Sequence, residues 1–355
     1  MKLRTILRTL GSLAGLFLTI LVVLDLYAPP VKSVERVKIR VGHFPNITHA
    51  QGVIGHGLSR KGEGWFEKKL GPEYEVEWYL YNAGPSAMEA IFAQTVDFTY
   101  VGPNPAINAY IKSKGEDIRI IAGAAGGGAA LVVQPDGRIR TDADFKGKKI
   151  AAPQLGNTQD VAARAYFLSK GYKITQTGGD VYIIPTRNPD QLTLFLKGDL
   201  DGVWTVEPWV TRLLIEGKGV LYLEERDLWQ GGRYVTTHLV TGTRFLKEHR
   251  DILKKWIAAH VELTQWIHQN PEEAKKILNE EIAAETGSPL SPQVLEGSFA
   301  RIELTYDPIR DSLFKSAEDA FKVGFLGKET PDLSRIYDLS LLNEVLAEKG
   351  LPTIQ

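Results

Sequence analysis

Three histidines near the start of the chain, His43, His49 and His56, have side chains that could bind a metal ion or transfer protons. His49 and His56 fall in one stretch of helical spacing, where a rise of roughly 1.5 Å per residue puts them about 10 Å apart. The ligands of one metal ion lie much closer together than this. The spacing therefore predicts no metal site, and nothing else in the sequence predicts a cofactor.

Motifs for covalent or nucleotide chemistry are also missing from the sequence. It contains no nucleophile elbow, no P-loop and no dinucleotide-binding glycine fingerprint. The glycines of "GAAGGGAA" have the wrong spacing for a phosphate loop and predict a tight turn at 126–128 between two strands. Cysteine is absent, which excludes disulfides, thiolate metal sites and cysteine nucleophiles. We therefore predict no catalytic residues.

Four loops have the composition of anion-binding sites. They read "PNITHA" (45–50), "NAGPS" (82–86), "GPNPA" (102–106) and "GNTQD" (156–160), each at a junction between a strand and a helix. The free N–H groups and the dipole of a helix N-terminus attract an anion. One such loop occurs in any protein, but four at equivalent junctions indicate a binding site. Trp204 and Trp209 flank "TVEP" and could both line an apolar part of this site, although Trp204 could equally pack in the core.

The elements that must position these loops alternate between strand and helix. Strands are predicted at "VKIRVGHF" (37–44), "EVEWYLY" (75–81) and "KKIAAP" (148–153), with helices between them. This alternation is typical of an α/β protein, and we expect mostly parallel sheets. After Arg244 the pattern becomes mainly helical. Asn270 is the predicted N-cap of a late helix that begins "PEEAKKIL".

One helix–turn–strand–loop unit occurs twice. Pro85 precedes Asp97 by twelve residues, and Pro189 precedes Asp201 by the same interval. Units of this type share such features by chance in many α/β proteins. The other interpretation is two similar lobes, each with loops at the carboxyl ends of its strands, where ligands bind in open sheets. Two facing lobes would enclose a small molecule in a cleft.

Length and composition fit this second interpretation. The chain has 355 residues, 43% hydrophobic and 24% charged, which suits a folded protein with two lobes of ordinary size. The net charge of −1 gives no indication of a nucleic-acid partner.

The N-terminal segment 1–30 differs from the rest of the chain. Lys2, Arg4 and Arg8 precede an apolar run over 10–24, as in a secretory signal or a signal-anchor. Pro29 directly follows the only suitable small residue before a cleavage site, which favours an uncleaved anchor over a cleaved signal peptide. Either interpretation exports the rest of the protein.

The sequence from about 37 to about 306 resembles the periplasmic substrate-binding proteins of ABC importers for sulfonates, taurine and nitrate. The resemblance is carried by "AGPSAMEAI", "VDFTYVGPNPA", "DFKGKKIAAPQLGNTQDVAARAYFLSKGY", "LKGDLDGVWTVEPW" and "NPEEA", and it is closest to the aliphatic-sulfonate branch. It implies the type II periplasmic-binding-protein fold, in which two α/β lobes joined by two hinge crossings close on the ligand. Lobe I would comprise 37–130 and 236–330, lobe II 131–235, and a helical tail 331–355.

The resemblance also implies partners and site residues. The partners would be a small anion and an ABC permease of the inner membrane, with a monomeric protein in the periplasm tethered by its N-terminal segment. The ligand contacts would be Asn46, Thr48, His49, Gly84, Pro85, Ser86, Asn104, Asn157, Thr158, Gln159, Trp204 and Glu207. The first loop departs from the commonest family form, and the lipoprotein cysteine of many relatives is missing.

The residue types at these positions favour a sulfonate. A sulfonate spreads one charge over three acceptor oxygens, so N–H groups and hydroxyls suffice to bind it. Nitrate is smaller and would leave space unfilled, and a phosphonate would require more positive charge. Glu207 has two interpretations, as a helix cap or as the partner of a ligand ammonium group such as that of taurine.

Two other functions remain open from the sequence. Enzymes of pyrimidine and thiamine-precursor metabolism share this fold, and His49 could act in one as an acid–base group. The export segment argues against such an enzyme, which normally stays in the cytoplasm. An anchored ligand sensor is the third possibility, although no signalling module follows residue 306.

Overall fold

We describe the protein from a computed structural model, whose described residues are 36–176 and 178–354. The predicted signal or anchor segment 1–30 lies outside the described residues. Within them, no helix combines the length and the hydropathy needed to cross a bilayer.

The strands of the described residues form two large sheets and one small hairpin. The first sheet contains Val37–His43 (β1), Tyr74–Leu80 (β2), Phe98–Val101 (β3), Ile118–Gly127 (β4), Val235–Gly242 (β12) and Ile302–Leu304 (β13). The second contains Ala129–Val133 (β5), Lys149–Ala152 (β6), Tyr182–Pro185 (β9), Gly202–Val206 (β10) and Val220–Glu224 (β11). The hairpin pairs Ile174–Thr175 (β7) with Gly178–Gly179 (β8).

Both large sheets are mixed. The strand orders are β13-β4-β12-β3-β1-β2 and β11-β5-β10-β6-β9. β1 is parallel to β3, and β6 is parallel to both β10 and β9. β12 is antiparallel to β3 and β4, and β5 is antiparallel to β10 and β11. The predicted α/β class is confirmed, but the expectation of mostly parallel pairing is wrong, because the strands that enter each sheet from the other one run in the opposite direction.

Helices flank the sheets, close to the positions predicted from the sequence. Their bounds are Ala50–Arg60 (α1), Trp65–Leu70 (α2), Gly84–Phe92 (α3), Pro103–Lys112 (α4), Thr158–Ser169 (α5), Asn188–Leu196 (α6), Trp209–Ile215 (α7), Thr243–Glu248 (α8), Arg250–Gln269 (α9), Pro271–Thr286 (α10), Pro292–Phe299 (α11), Arg310–Lys322 (α12) and Ser340–Glu348 (α13). A short 3₁₀ turn, Ile47–His49, precedes α1.

The chain passes between the two sheets at two adjacent places. β4 ends at Gly127 and β5 begins at Ala129, and Gly127 and Gly128 have φ values of +72° and +76° that favour glycine. The return crossing ends at Tyr234, whose carbonyl accepts a hydrogen bond of 3.0 Å from the N–H of Gly127. The predicted tight turn between two strands is present, and its glycines carry the chain from the first sheet to the second.

The two aspartates of the predicted repeat make the same bonds in the two sheets. Asp97 accepts a hydrogen bond on Oδ2 from the N–H of Arg40 at 2.7 Å, and its own N–H donates to the Arg40 carbonyl at 2.8 Å. Asp201 repeats both contacts with Lys149, each at 2.9 Å. Each aspartate therefore joins the start of one strand, β3 or β10, to its parallel neighbour, β1 or β6. These matched contacts support two similar units over chance similarity.

Each sheet has its own apolar core. On the first sheet, Trp256 of α9 stacks on Phe66 of α2 with ring centroids 3.8 Å apart, and all four residues of β3 are buried. On the second, Phe145 and Phe167 pack edge to face at 4.8 Å beneath the fully buried β10. These cores hold the carboxyl ends of the central strands, and the loops that follow them, in fixed positions.

Candidate functional site

A small cavity lies between the loops that follow the strands of the two sheets. One wall comes from residues after β1, β2 and β3 and from β12, and the other from residues after β6 and β9 and from β10. The first wall contains Phe44, Asn46, Thr48, His49, Asn82, Ala83, Gly84, Gly102, Pro105 and Thr236, and the second contains Pro153, Asn157, Thr158, Gln159, Asn188 and Val206. The cavity therefore occupies the position that the sequence predicts for a ligand.

The cavity has a volume of about 30 Å³. A single water molecule needs about 10–15 Å³ measured in this way, so the space holds a group of a few atoms. The cavity is therefore narrow where the two walls meet.

The cavity brings together seven of the twelve residues predicted as ligand contacts. They are Asn46, Thr48, His49, Gly84, Asn157, Thr158 and Gln159. Asn82, Gly102 and Asn188 also line it and were missed, although the first two belong to the glycine-rich loops and Asn188 begins the second repeat unit. Thr236 carried no signal in the sequence, since it lies within the strand β12.

Three buried polar atoms at the cavity have no hydrogen-bond partner among the described residues. They are Nδ1 of His49, Oγ1 of Thr158 and Oδ1 of Asn188. Buried polar atoms in proteins are almost always paired, and an unpaired one costs about 1–3 kcal/mol. All three belong to residues that line one cavity, where a polar ligand or water could pair with them.

His49 presents a neutral imidazole to this cavity. Its ring stacks on Phe44 with centroids 4.2 Å apart, and its side chain is buried. Burial lowers the pKa of His49 well below its ordinary value, and the nearby His43 lowers it further, against an opposing effect of Glu285. A neutral imidazole adds no charge to the cavity and offers one N–H donor.

A buried ion pair positions the start of α5. Asn157 caps the helix, accepting a hydrogen bond of 2.9 Å on Oδ1 from the N–H of Asp160. Asp160 accepts one from the N–H of Gly156 at 2.9 Å and pairs with Arg164 at 2.9 Å. Burial raises the pKa of Asp160, while Arg164 opposes the shift. The Asp160 carboxylate is therefore bonded within the loop, and the N–H groups of Thr158 and Gln159, both in the cavity wall, have no acceptor in their own helix.

Direct contacts join the two walls. The indole N–H of Trp209 donates to Oδ1 of Asn46 at 3.0 Å, and Arg187 donates to Oδ1 of Asn82 at 3.2 Å. Asn46 and Asn82 follow strands of the first sheet, whereas Arg187 and Trp209 follow strands of the second. The structure thus shows the walls in contact.

Trp204 and Glu207 lie away from the cavity. Trp204 is fully buried in the core of the second sheet, and its indole N–H donates to Glu225 at 2.7 Å. Glu207 is fully buried at the start of α7, where it accepts hydrogen bonds from Thr211 and from Ser298 of α11. The structure therefore favours a core role for Trp204 and a helix-capping role for Glu207 over the predicted ligand contacts.

The remaining predicted contacts also fall outside the cavity wall. Pro85 and Ser86 are half-buried in the first turn of α3, one and two residues beyond Gly84, which does line it. Asn104 is buried on α4 and donates to the Ser316 carbonyl at 3.3 Å. Its amide therefore binds α12 instead of facing the cavity.

Comparisons with known proteins agree with this architecture. The NMT1-like family matches residues 32–282. A Bacillus subtilis (strain 168) protein described as an aliphatic sulfonates-binding protein is 24% identical over 303 residues, which cover 82% of this chain and 85% of that protein. The taurine-binding periplasmic protein of Escherichia coli (strain K12) is 25% identical over 197 residues, 56% of this chain and 59% of its own.

Solved structures share the fold. The alkanesulfonate-binding protein SsuA of Xanthomonas axonopodis pv. citri, bound to MOPS, aligns with a TM-score of 0.67 at 17% identity, covering 85% of this chain and 98% of its own. The periplasmic nitrate-binding protein NrtA of Synechocystis PCC 6803 aligns with a TM-score of 0.70 at 17% identity, covering 90% of each chain. At these identities the likeness establishes the fold of periplasmic binding proteins.

Proposed function

The chain belongs to the NMT1-like family, and on that premise we propose that it is an extracytoplasmic solute-binding protein that captures a small organic sulfonate for an ABC permease. Two relatives are named for aliphatic sulfonates and for taurine, which is itself a sulfonate. The observation that carries the proposal is the set of unpartnered neutral polar groups in the cavity between the two sheets.

The chemistry of the cavity suits a delocalised monoanion. Among the described residues that line it, none is Asp, Glu, Lys or Arg, and His49 is neutral. A sulfonate has three acceptor oxygens and one charge, so hydroxyl, imidazole and amide N–H donors together can satisfy it. The helix dipole at the start of α5 adds attraction for the negative charge.

We assign the binding of the sulfonate group to four sets of donors. The hydroxyl of Thr158 and the first amides of α5 bind from the second sheet, and the imidazole of His49 binds from the first. The N-terminus of α3 at Gly84, also in the cavity wall, contributes a second set of amides. The organic part of the ligand extends toward the opening between the walls.

Capture requires two lobes that move. We assign 37–130 with 236–330 to lobe I, 131–235 to lobe II and 331–355 to a C-terminal tail, as predicted from the sequence. The paired crossings at Gly127 and Tyr234 are the natural hinge, since glycine tolerates large backbone changes. The contacts of Trp209 with Asn46 and of Arg187 with Asn82 between the walls support a closed cleft that opens for ligand entry.

The proposed setting is the periplasm. The basic and apolar segment 1–30 exports the protein and, with Pro29 after Ala28, tethers it to the inner membrane. There the protein acts as a monomer that delivers its ligand to the permease. N-terminal sequencing of the exported protein tests the tether, which is contradicted by a chain that begins near Pro29 or later.

Binding without turnover is the activity that the site supports. An acid–base role for His49 would require a pKa near the working pH, whereas burial lowers the pKa of this residue. We therefore propose no catalytic residues in the cleft.

A thermal-shift screen of the purified protein tests the proposed function. The ligands are ethanesulfonate, taurine, nitrate and methylphosphonate, each followed by calorimetry. We expect a sulfonate to stabilise the protein by about 2.7 kcal/mol at a hundredfold excess over Kd, with the ligand recovered unchanged. Stabilisation by nitrate or methylphosphonate alone, or chemical conversion of the sulfonate, would contradict the proposal.

A further inference from the structure

Two histidines and a glutamate meet at a point that is separate from the cavity. His43 ends β1, His56 lies on α1 and Glu285 lies near the end of α10. Nε2 of His43 is 3.1 Å from Nδ1 of His56, and these two atoms are 3.1 Å and 2.9 Å from Oε1 of Glu285. The three atoms form a nearly equilateral triangle, and among the described residues this is the group arranged to hold a metal ion.

Hydrogen bonds alone cannot pair these three atoms well. Two ring nitrogens face each other and share a single carboxylate oxygen. If both carry protons, the two N–H groups crowd toward one acceptor. If only one does, a single proton serves three heavy atoms. The second oxygen of Glu285 is buried with no partner among the described residues. One cation in contact with all three atoms removes this conflict.

The spacing matches the coordination distances of transition metals. Nitrogen and oxygen ligands lie about 2.0–2.2 Å from a zinc ion, so two ligands at a right angle are about 3.0 Å apart and two at a tetrahedral angle about 3.4 Å apart. The observed distances of 2.9–3.1 Å fit the face of an octahedron. Two histidines and one carboxylate on such a face form a known ligand set for divalent first-row metals.

We propose that His43, His56 and Glu285 form a binding site for a divalent first-row transition-metal ion. The sequence predicted no metal site, on the spacing of His49 and His56, whereas the structure brings His43 to within 3.1 Å of His56. Zn²⁺ is the natural probe, because neutral imidazole and carboxylate are ligands that it accepts readily. The hard cations Mg²⁺ and Ca²⁺ prefer oxygen ligands throughout and do not fit.

Neighbouring residues orient the two histidines and cover the site. Nδ1 of His43 lies 3.3 Å from the Phe44 carbonyl, an arrangement that leaves Nε2 free to bind a metal. Trp78 covers the site, with its ring stacked on His56 at 5.6 Å and edge-on to His43 at 5.5 Å.

The local charge also favours a cation. A second carboxylate, Glu281, places Oε1 3.1 Å from Nδ1 of His56. Arg60 pairs with Glu281 at 2.9 Å and lies 3.3 Å from Nε2 of His56. Two carboxylates against one guanidinium leave a net negative charge around the triangle, which a bound dication would offset. Half of the Arg60 side chain is exposed, so it can turn away from His56 when a metal binds.

A metal here would fasten three distant parts of the chain. It would tie α10 to the end of β1 and to α1, beside Phe44 and the loop that carries His49. None of the three proposed ligands lines the cavity, so the metal site is spatially distinct from the proposed sulfonate site. Its expected effects are greater stability and a fixed position for the first loop of the cavity wall.

Titration of the chelator-treated full-length protein with Zn²⁺ alone tests the site. We expect one tightly bound ion per chain, a higher melting temperature, and Co²⁺ spectra typical of nitrogen and oxygen ligands. Glu285→Gln and His56→Gln should each weaken Zn²⁺ binding at least a hundredfold. His268→Gln, which changes an exposed histidine on α9, is the matched control and should bind Zn²⁺ like the unaltered protein.

Two results would overturn the inference. One is that the unaltered protein binds no Zn²⁺, and the other is that Glu285→Gln and His56→Gln bind it as the control does. If either variant fails to fold, X-ray absorption of the zinc-loaded unaltered protein decides instead. Two imidazole ligands in that spectrum support the site, and their absence contradicts it.

Discussion

The hydroxyl of Thr158 occupies the place that a side chain on Gly102 would need. A Cβ atom built on Gly102 would lie 2.4 Å from Oγ1 of Thr158. Gly102 follows β3 of the first sheet, and Thr158 begins α5 after β6 of the second sheet. The backbone of Gly102 has φ −69° and ψ 163°, which any residue adopts. Glycine is therefore required here by the approach of the opposite wall, and this contact is the one that the proposed closure of the cleft depends on.

Gly102→Ala should impair closure without impairing folding. The added methyl group collides with Thr158 only when the walls meet, so an open form can accommodate it. We expect sulfonate affinity to fall at least tenfold, measured by calorimetry, with the free energy of unfolding in urea changed by no more than about 0.5 kcal/mol. Gly178→Ala is the control, because a Cβ at Gly178 meets no atom within 4 Å. Equal affinities for the two variants would refute this view of closure.

Thr158→Val should weaken sulfonate binding through the loss of one hydrogen bond. The shape of the side chain is nearly kept, while the unpartnered hydroxyl is removed. A hydrogen bond to a charged group contributes about 1.5–3 kcal/mol, so Kd should rise at least tenfold. Ser86→Ala is the comparison, since the Ser86 hydroxyl lies outside the cavity wall. A larger loss from Ser86→Ala than from Thr158→Val would place the anion at α3 instead.

Glu207→Gln should reduce stability and leave ligand selectivity unchanged. The buried carboxylate accepts hydrogen bonds from Thr211 and Ser298, and Arg301 lies 3.3 Å from it. Losing the charge should lower the free energy of unfolding by about 1.5–3 kcal/mol, measured with urea. Glu216→Gln, in an exposed pair with Arg212, is the control. Selective loss of taurine affinity relative to ethanesulfonate would instead show that Glu207 receives the ligand ammonium.

Acid should destabilise the protein through its buried histidines. Burial lowers the pKa of His238 and of His260 to about 4 in the folded state. Between the unfolded value of about 6.5 and pH 4, the unfolded chain binds protons that the folded protein does not, so the free energy of unfolding decreases as pH falls. Each group contributes a slope of about 1.4 kcal/mol per pH unit.

A single variant isolates one of these slopes. His260→Gln should reduce the pH dependence of urea unfolding between pH 6.5 and 4.5 by about 1.4 kcal/mol per pH unit. His268→Gln, at an exposed position, should leave the slope unchanged. The buried carboxyl of Glu225, with its pKa raised to about 7, acts in the opposite direction in every variant and cancels from the comparison. An unchanged slope in His260→Gln would mean that this imidazole is charged in the folded protein.

Most helices and strands could be predicted from the sequence, because helix starts, turns and strand patterns are set by residues close together in the chain. Proline and glycine at helix starts located α3 and α5 to within two residues, and the repeated aspartates identified two similar units. The loops of the cavity wall followed from the same capping signals. The direction of the strands within each sheet was not predicted correctly. No local sequence pattern shows that the chain crosses from one sheet to the other before β5 and again before β12.

Contacts between distant residues could not be predicted in the same way. Trp204 lies in β10, where every residue is buried, and only the packing of the sheet decides which face its ring joins. The meeting of His43 with His56 and Glu285 joins positions up to 242 residues apart, so spacing along one helix could not reveal it. The sequence therefore located the loops of the site, while the structure decided which of their side chains face the cavity.

The most direct test of the account is calorimetric titration of the purified protein with ethanesulfonate. We expect one ethanesulfonate to bind per chain, reversibly and without chemical change, and its affinity to fall at least tenfold in Thr158→Val. No binding of any sulfonate by the unaltered protein, or equal affinity in the unaltered protein and Thr158→Val, would contradict it.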